Sequence, residues 1–302
     1  MLVLAAFTLM LVLGSTAPAM TGKAAAVSTE KKGLKLRDNG KYYYYVNGKR
    51  LRNSWKVIKG KRYYFTAGGS AATGYRKING VKYIFNAKGQ FAKTGKTTLV
   101  KVGEKSYLAD AKGRPLTGWQ IYKNKLYYAN SKGMVLKNTT KDGIKFSKTG
   151  AAKNSVSTKL KMKTMALVKS ITNDSMSQSQ KLKACWNYVV GGNFYYASIY
   201  PNLSQNYWQR SLALNMLNTK GGNCYGFACV FAALAKKVGY EPYVICGRVV
   251  GTRDGAADGY TRHSWVMING LHYDPEAQFA GWARGIYGSG YGPGIIQSTV
   301  KF

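Results

Sequence analysis

The sequence predicts a multidomain chain: an N-terminal solenoid of β-hairpin repeats, then an α+β domain. Three observations carry this prediction. A turn-plus-aromatic unit recurs from Asp38 to about Gly150. From Thr158 to Gly239 the apolar residues fall at steps of three and four, the helical period. Beyond Tyr243 the period drops to two, the strand period. A length of 302 residues leaves room for two domains. The expected boundaries are a signal peptide over 1–26, a linker over 27–37, repeats over 38–153 and the second domain over 154–302.

The chain opens on Leu2–Leu13, twelve residues without a charge, too few to span a bilayer. Ala17-Pro-Ala19 and Ala24-Ala-Ala26 follow, and either fits a small-residue cleavage site. This reads as a secretory signal, with a retained anchor as the alternative. No Cys follows directly, which argues against a lipoprotein, and no later stretch is apolar enough to span. Lys and Arg number 46 against 11 acidic residues, a net charge of +35. Residues 1–153 carry +26 of it and residues 154–302 the remaining +9. A field this positive favours an anionic partner. Nucleic acid is set aside because no binding motif accompanies the charge; a cell-wall polymer fits an exported chain.

The repeat unit is a small turn, a basic residue and then aromatics. It appears as Asn39-Gly-Lys-Tyr-Tyr43, Gly60-Lys-Arg-Tyr-Tyr-Phe65, Asn79-Gly-Val-Lys-Tyr-Ile-Phe85, Gly103-Glu-Lys-Ser-Tyr107, Asn124-Lys-Leu-Tyr-Tyr128 and Gly143-Ile-Lys-Phe146. The anchors at 40, 60, 80, 103, 124 and 143 are 20, 20, 23, 21 and 19 residues apart. Asn-Gly and Gly-Lys turns between short aromatic runs predict one hairpin per unit. A lone hairpin cannot bury its aromatic face, so the hairpins must stack.

These units resemble the choline-binding and glucan-binding repeats of Gram-positive surface proteins, most closely over Thr117–Gly133. The resemblance implies attachment to teichoic acid, a glucan or peptidoglycan, with Trp55, Tyr63, Tyr64, Tyr83, Trp119, Tyr127 and Tyr128 as candidate contacts. Aromatic cages capture choline in that family. The repeats depart from the cage pattern: within them Trp occurs only at Trp55 and Trp119, Tyr75 and Lys96 hold the equivalent positions, and Leu126 replaces a cage aromatic. The departure argues against choline capture.

The second half begins with a polar linker, Asn154-Ser-Val-Ser-Thr. A helix follows from near Thr158 to Ile171, then a turn at Asn173-Asp-Ser-Met. Ser177-x-x-Gln180 is a capping box ahead of Leu182, Cys185, Trp186 and Val189. A short helix is expected over Tyr207–Leu217. The next helix carries Phe227, Val230, Phe231 and Leu234 on one face, Lys236 and Lys237 in its last turn and Gly239 as its closing residue. Asn223 is placed to cap it, so Cys224 falls in the first turn, where the unpaired backbone N–H groups favour a thiolate. Cys185, Cys229 and Cys246 lie in apolar surroundings and read as buried thiols; four cysteines do not make a disulfide scaffold.

Tyr243–Val250 reads as a buried strand and Gly251–Tyr260 as an exposed loop. Thr261–Ile268 and Leu271–Asp274 flank Asn269-Gly270, a strong hairpin signal. A two-residue turn sets Asp274 opposite Trp265 and His263 opposite Glu276. His263 and Asp274 are then diagonal neighbours on one face. The other histidine, His272, pairs with Met267 and is the alternative base.

Gly222-Asn-Cys-Tyr-Gly-Phe-Ala, Val238–Gly247, His263-Ser-Trp-Val and Tyr273-Asp-Pro275 together resemble the transglutaminase-like superfamily over about residues 155–280. The resemblance implies a papain-like fold with Cys224 as nucleophile, His263 as base and Asp274 orienting the imidazole. Trp208 and Gln209 are candidates for the oxyanion site beside the Cys224 N–H, and Asn223 and Trp265 for substrate contact. His263 would take the thiol proton and return it to the leaving amine. Water would then resolve the thioester in a protease or amidase, and an amine in a cross-linking transferase; the substrate is a protein or peptide either way. The Gly- and Tyr-rich Gly281–Gly294 would border the cleft. No metal site or cofactor is expected. A wall-binding adhesin that has kept this fold without its activity is the reading from a different class.

Overall fold

Two-residue turns set the hairpins. Type I′ turns need positive φ at both central residues, and Asn79 and Gly80 supply φ +48° and +81°. Asp142 and Gly143 supply +50° and +73°. The computed structural model describes residues 32–282 and 286–302. The expected signal peptide and the first linker residues lie outside the described residues.

The chain divides into two compact units, with the division between Ala71 and Ala72. In the first, Gly33–Leu36, Tyr42–Val46 and Lys49–Arg50 form one sheet, and Ser54–Ile58 pairs with Lys61–Phe65. The strand Gly33–Leu36 lies in the expected linker, a correction: its partner Tyr42–Val46 supplies the pairing that its own mixed sequence does not announce. Tyr63, Phe65 and Ala71 are the core.

The second unit continues the hairpins with Gly74–Ile78 and Val81–Phe85, Thr98–Val102 and Lys105–Ala109, Gly118–Tyr122 and Lys125–Ala129, and Thr140–Lys141 and Ile144–Lys145. Backbone hydrogen bonds stack them: Ile84 N–H donates to Gly113 O, Leu108 to Gly133 O and Ala152 to Leu126 O. The approach is close enough to demand glycine, since a Cβ on Gly113 would lie 2.5 Å from Phe91 and one on Gly133 2.6 Å from Pro115. The last hairpins bury Leu126, Ile144 and Phe146 against Met162 and Met165 of helix α1, Val156–Ile171.

Helices α2 (Gln178–Val190), α3 (Trp208–Thr219) and α4 (Cys224–Lys237) follow. The expected capping box holds, with Ser177 Oγ accepting from Gln180 N–H and Gln180 Oε1 from Ser177 N–H. Helix α4 is buried on every side from Cys224 to Ala235, not on one face. Packing by α1, α2, α3, α5 (Pro275–Ala280) and the sheet surrounds it, and its small residues permit this: a Cβ on Gly226 would meet Met216 Sδ at 2.7 Å.

The antiparallel sheet beside α4 runs Tyr287–Ser289, Leu271–Tyr273, Tyr260–Ile268, Tyr243–Val250, Ile295–Lys301. The Asn269-Gly270 turn keeps the expected register as far as Val266 opposite Tyr273. There the strand ends. Asp274 becomes the N-cap of α5 and Pro275 its first residue, so Glu276 sits in a helix and not across a ladder from His263.

Candidate functional site

Three elements bring the expected residues together. Cys224 opens α4, His263 lies mid-strand in Tyr260–Ile268, and Asp274 caps α5. Opposite His263 the neighbouring strand carries Gly247, where an added Cβ would lie 2.6 Å from the Trp265 ring. That missing side chain lets Trp265 lie over the strand, at 6.1 Å and 24° to the imidazole.

His263 Nε2 is 2.6 Å from Asp274 Oδ2, with both side chains 1% exposed. Asp274 uses its other oxygen, Oδ1, to accept from Ala277 N–H at 3.1 Å. Burial alone would lower the imidazole pKa; the hydrogen bond of Asp274 and the interaction with Cys224 outweigh it and raise the value to about 10. Cys224 is the second group that raises the imidazole, while Nδ1, the nitrogen Asp274 leaves open, has no hydrogen-bond partner among the described residues.

The four cysteines are free and buried. Burial pushes Cys185 up to about 12 and Cys246 to about 11, and holds Cys229 well above the thiol range. Their burial and raised pKa values fit packing groups rather than nucleophiles.

His272 is committed elsewhere: its Nδ1 accepts from Trp265 Nε1 at 2.9 Å. Trp265 is therefore buried framework between the two histidines and not a substrate surface. Asn223 occupies the N-cap position of α4, but its side chain does not cap. Both of its amide atoms are buried without a partner among the described residues, and the residue lines the small cavity that Cys224 also lines. Gln209 donates to Lys301 O at 3.2 Å, and Trp208 packs edge-on to Tyr225. Neither Trp208 nor Gln209 lines that cavity.

Residues that sequence reasoning did not single out complete the surroundings. Glu276 is fully buried, with Oε2 3.8 Å from His263 Nδ1 and Oε1 3.7 Å from Arg253 Nη1. Burial raises its pKa, against His263 and Arg253. Arg253 and Asp254 line the Cys224 cavity with Tyr196 and Tyr200. Trp282 sets its ring 6.2 Å from the imidazole, so part of the Gly281–Gly294 stretch borders the site; residues 283–285 lie outside the described residues. Among the described residues no three His, Cys, Asp or Glu side chains group as metal ligands, and no helix is long and apolar enough to cross a membrane.

In the hairpins, Tyr63 and Tyr127 are 4% and 5% exposed. They are core residues and not ligand contacts, because the stacked hairpins bury alternate aromatics. Trp55 packs on Tyr64, and Arg62 lies 4.2 Å over the Trp55 ring. Trp119 packs on Tyr128; Lys161 lies 4.6 Å over Trp119 and Lys141 4.7 Å over Tyr128. Tyr83 sits edge-on to Phe91.

Residues 165–282 match the model of the transglutaminase-like superfamily. No curated protein matches the chain. Among solved structures, choline binding protein F from Streptococcus pneumoniae is similar at 29% identity, over 41% of this chain and 48% of that one, with a TM-score of 0.23. A truncated alternansucrase from Leuconostoc mesenteroides is similar at 28% identity, over 41% of this chain and 11% of that one, with a TM-score of 0.30. The modular autolysin LytC from Streptococcus pneumoniae is similar at 20% identity, over 40% and 28% of the two chains, with a TM-score of 0.27. This chain spans less than half the length of each of these three.

Proposed function

We propose that the chain is an exported, wall-associated thiol enzyme that opens peptide or glutamine-type amide bonds through a thioester on Cys224. What supports this reading is the buried 2.6 Å pairing of His263 with Asp274, together with Cys224 at the start of α4 as a further group that raises the imidazole. His263 takes the thiol proton, the Cys224 sulfur attacks the amide carbonyl, and the imidazolium returns the proton to the departing amine. Asp274 fixes the ring and stabilises its cationic form. The first-turn N–H groups of α4 lack intrahelical partners and would supply donors to the developing oxyanion. Water or an amine then releases the acyl group. Incubating wall-associated protein with the full chain and with Cys224→Ala separates the outcomes. New N-termini made only by the wild type indicate hydrolysis, and new isopeptide bonds indicate transfer. Neither product would leave the adhesin reading.

For the hairpin region we propose attachment to an anionic wall polymer. Two of its aromatic pairs, Trp55–Tyr64 and Trp119–Tyr128, already hold cations of this chain, Arg62 on Trp55 and Lys161 and Lys141 on Trp119 and Tyr128. A quaternary ammonium would have to displace them, whereas the net +26 of residues 1–153 attracts polyanions without a pocket. Bound to purified wall, the protein is expected to elute as salt rises from about 0.1 to 1 M, over which the Debye length falls from about 10 to 3 Å. Millimolar choline is expected to release none. Elution by choline at constant ionic strength would contradict this reading.

A further inference from the structure

Three arginines stand on or beside the 251–260 loop, and two are hydrogen-bonded to carboxylates. Arg248 pairs with Asp258 through both terminal nitrogens. Asp254 Oδ2 accepts from Arg262 Nε at 3.2 Å and from Arg262 N–H at 3.0 Å. Arg253 is different. Its nearest carboxylate oxygen, Glu276 Oε1, is 3.7 Å away, too far for a hydrogen bond. Its guanidinium lies 3.8 Å over the Trp282 ring, and Nη1 donates to Tyr196 Oη at 3.3 Å. A face-stacked guanidinium keeps its edge donors in plane and available.

Arg253 lines the cavity that holds Cys224, and its side chain is 41% exposed. Glu276, wholly buried, cannot follow the guanidinium outward. Asn223 lines the same cavity, nearly unexposed, with both amide atoms unpartnered among the described residues. The cavity therefore offers, on the same lining as Cys224, a cation whose planar fork fits a carboxylate. We infer that Arg253 anchors a carboxylate carried by the peptide substrate of Cys224, and that buried Glu276 holds the guanidinium at the cavity mouth in the free protein. This rests on the reading of Cys224 as nucleophile and names the substrate class of that site: peptides with a free carboxylate close to the amide that is opened.

Two alkylating agents of nearly equal size test it, anionic iodoacetate and neutral iodoacetamide. The ratio of their rates at Cys224, taken on the full chain at one pH, cancels changes in thiolate fraction. Wild type is expected to show a higher ratio than free cysteine. Arg253→Ala is expected to lower the ratio about tenfold, as the loss of a charge-assisted hydrogen bond implies. Arg253→Lys, which keeps the charge and loses the fork, should fall between. Glu276→Gln should raise the ratio by removing the competing carboxyl, and Arg262→Ala should lower it less than Arg253→Ala. An unchanged ratio in Arg253→Ala, or a fall confined to Arg262→Ala, would overturn the inference while leaving the nucleophile intact. Inertness of Cys224 to both reagents would overturn the nucleophile reading, and the anchor with it.

Discussion

Replacing His263 with alanine is expected to slow alkylation of Cys224 by iodoacetamide at pH 7 by about one to two orders of magnitude. An unassisted cysteine is only a few per cent thiolate at that pH, and His263 is the group that accepts the proton in the proposed mechanism. The substitution also strands Asp274, which is 1% exposed and loses the partner of its Oδ2. Removing one member of a buried charge pair costs roughly 3–5 kcal/mol, so thermal unfolding should move down markedly. His263→Gln separates the two effects: its amide can donate to Asp274 but cannot take a proton from sulfur. Gln should recover stability without reactivity. Equal alkylation rates in all three proteins would remove His263 from the mechanism.

The pH dependence has a defined sign. The folded-state pKa of His263 is raised to about 10, above the ordinary value of about 6.5. Stability from the imidazolium with Asp274 is therefore fully present below about pH 6.5 and lost as pH rises through about 10. The difference in melting temperature between wild type and His263→Gln should shrink over that window.

Local chemistry was readable from residues that act on their near neighbours. Asn269-Gly270 announces its turn, and through it the pairing of Val266 with Tyr273; Ser177 and Gln180 announce the start of α2. The contact of His263 with Asp274 followed from that register, although it is made by a residue that has already left the sheet. Asp274-Pro275-Glu276 carries a helix-start signature, but continuing the alternation of Leu271–Tyr273 hid it. The strand Ile295–Lys301 was illegible for a different reason: it is mostly exposed and shows no alternation of burial, so only its partner strand defines it. Arg253 and Glu276 are 23 positions apart and meet through a loop and a helix. Nothing in either local sequence encodes that meeting, so this pair becomes visible only in three dimensions.

Asp274 is where fold and chemistry share one side chain, and its two oxygens make the sharing testable. Oδ2 holds His263 and Oδ1 caps α5 through Ala277 N–H. Asn has a single acceptor oxygen, so Asp274→Asn can serve the cap or the imidazolium N–H but not both. With the first choice its amide N–H₂ faces His263 Nε2, stabilising the neutral ring and lowering the imidazole pKa. With the second, α5 loses its cap. The helix is short, and Glu276 sits in its first turn, so an uncapped α5 would also disturb the carboxyl beside Arg253. Asp274→Asn is expected to slow alkylation of Cys224 at pH 8 by about tenfold or more, because an imidazole near its ordinary pKa is almost wholly neutral there. Asp274→Ala supplies neither bond. It should lose as much reactivity and a further ~1 kcal/mol of stability, the usual cost of removing an N-cap. Stability should thus fall in the order wild type, Asn, Ala, while reactivity drops at the first step and stays low. Alkylation of Asp274→Asn at the wild-type rate, with an unchanged melting temperature, would show that neither oxygen has the role assigned to it.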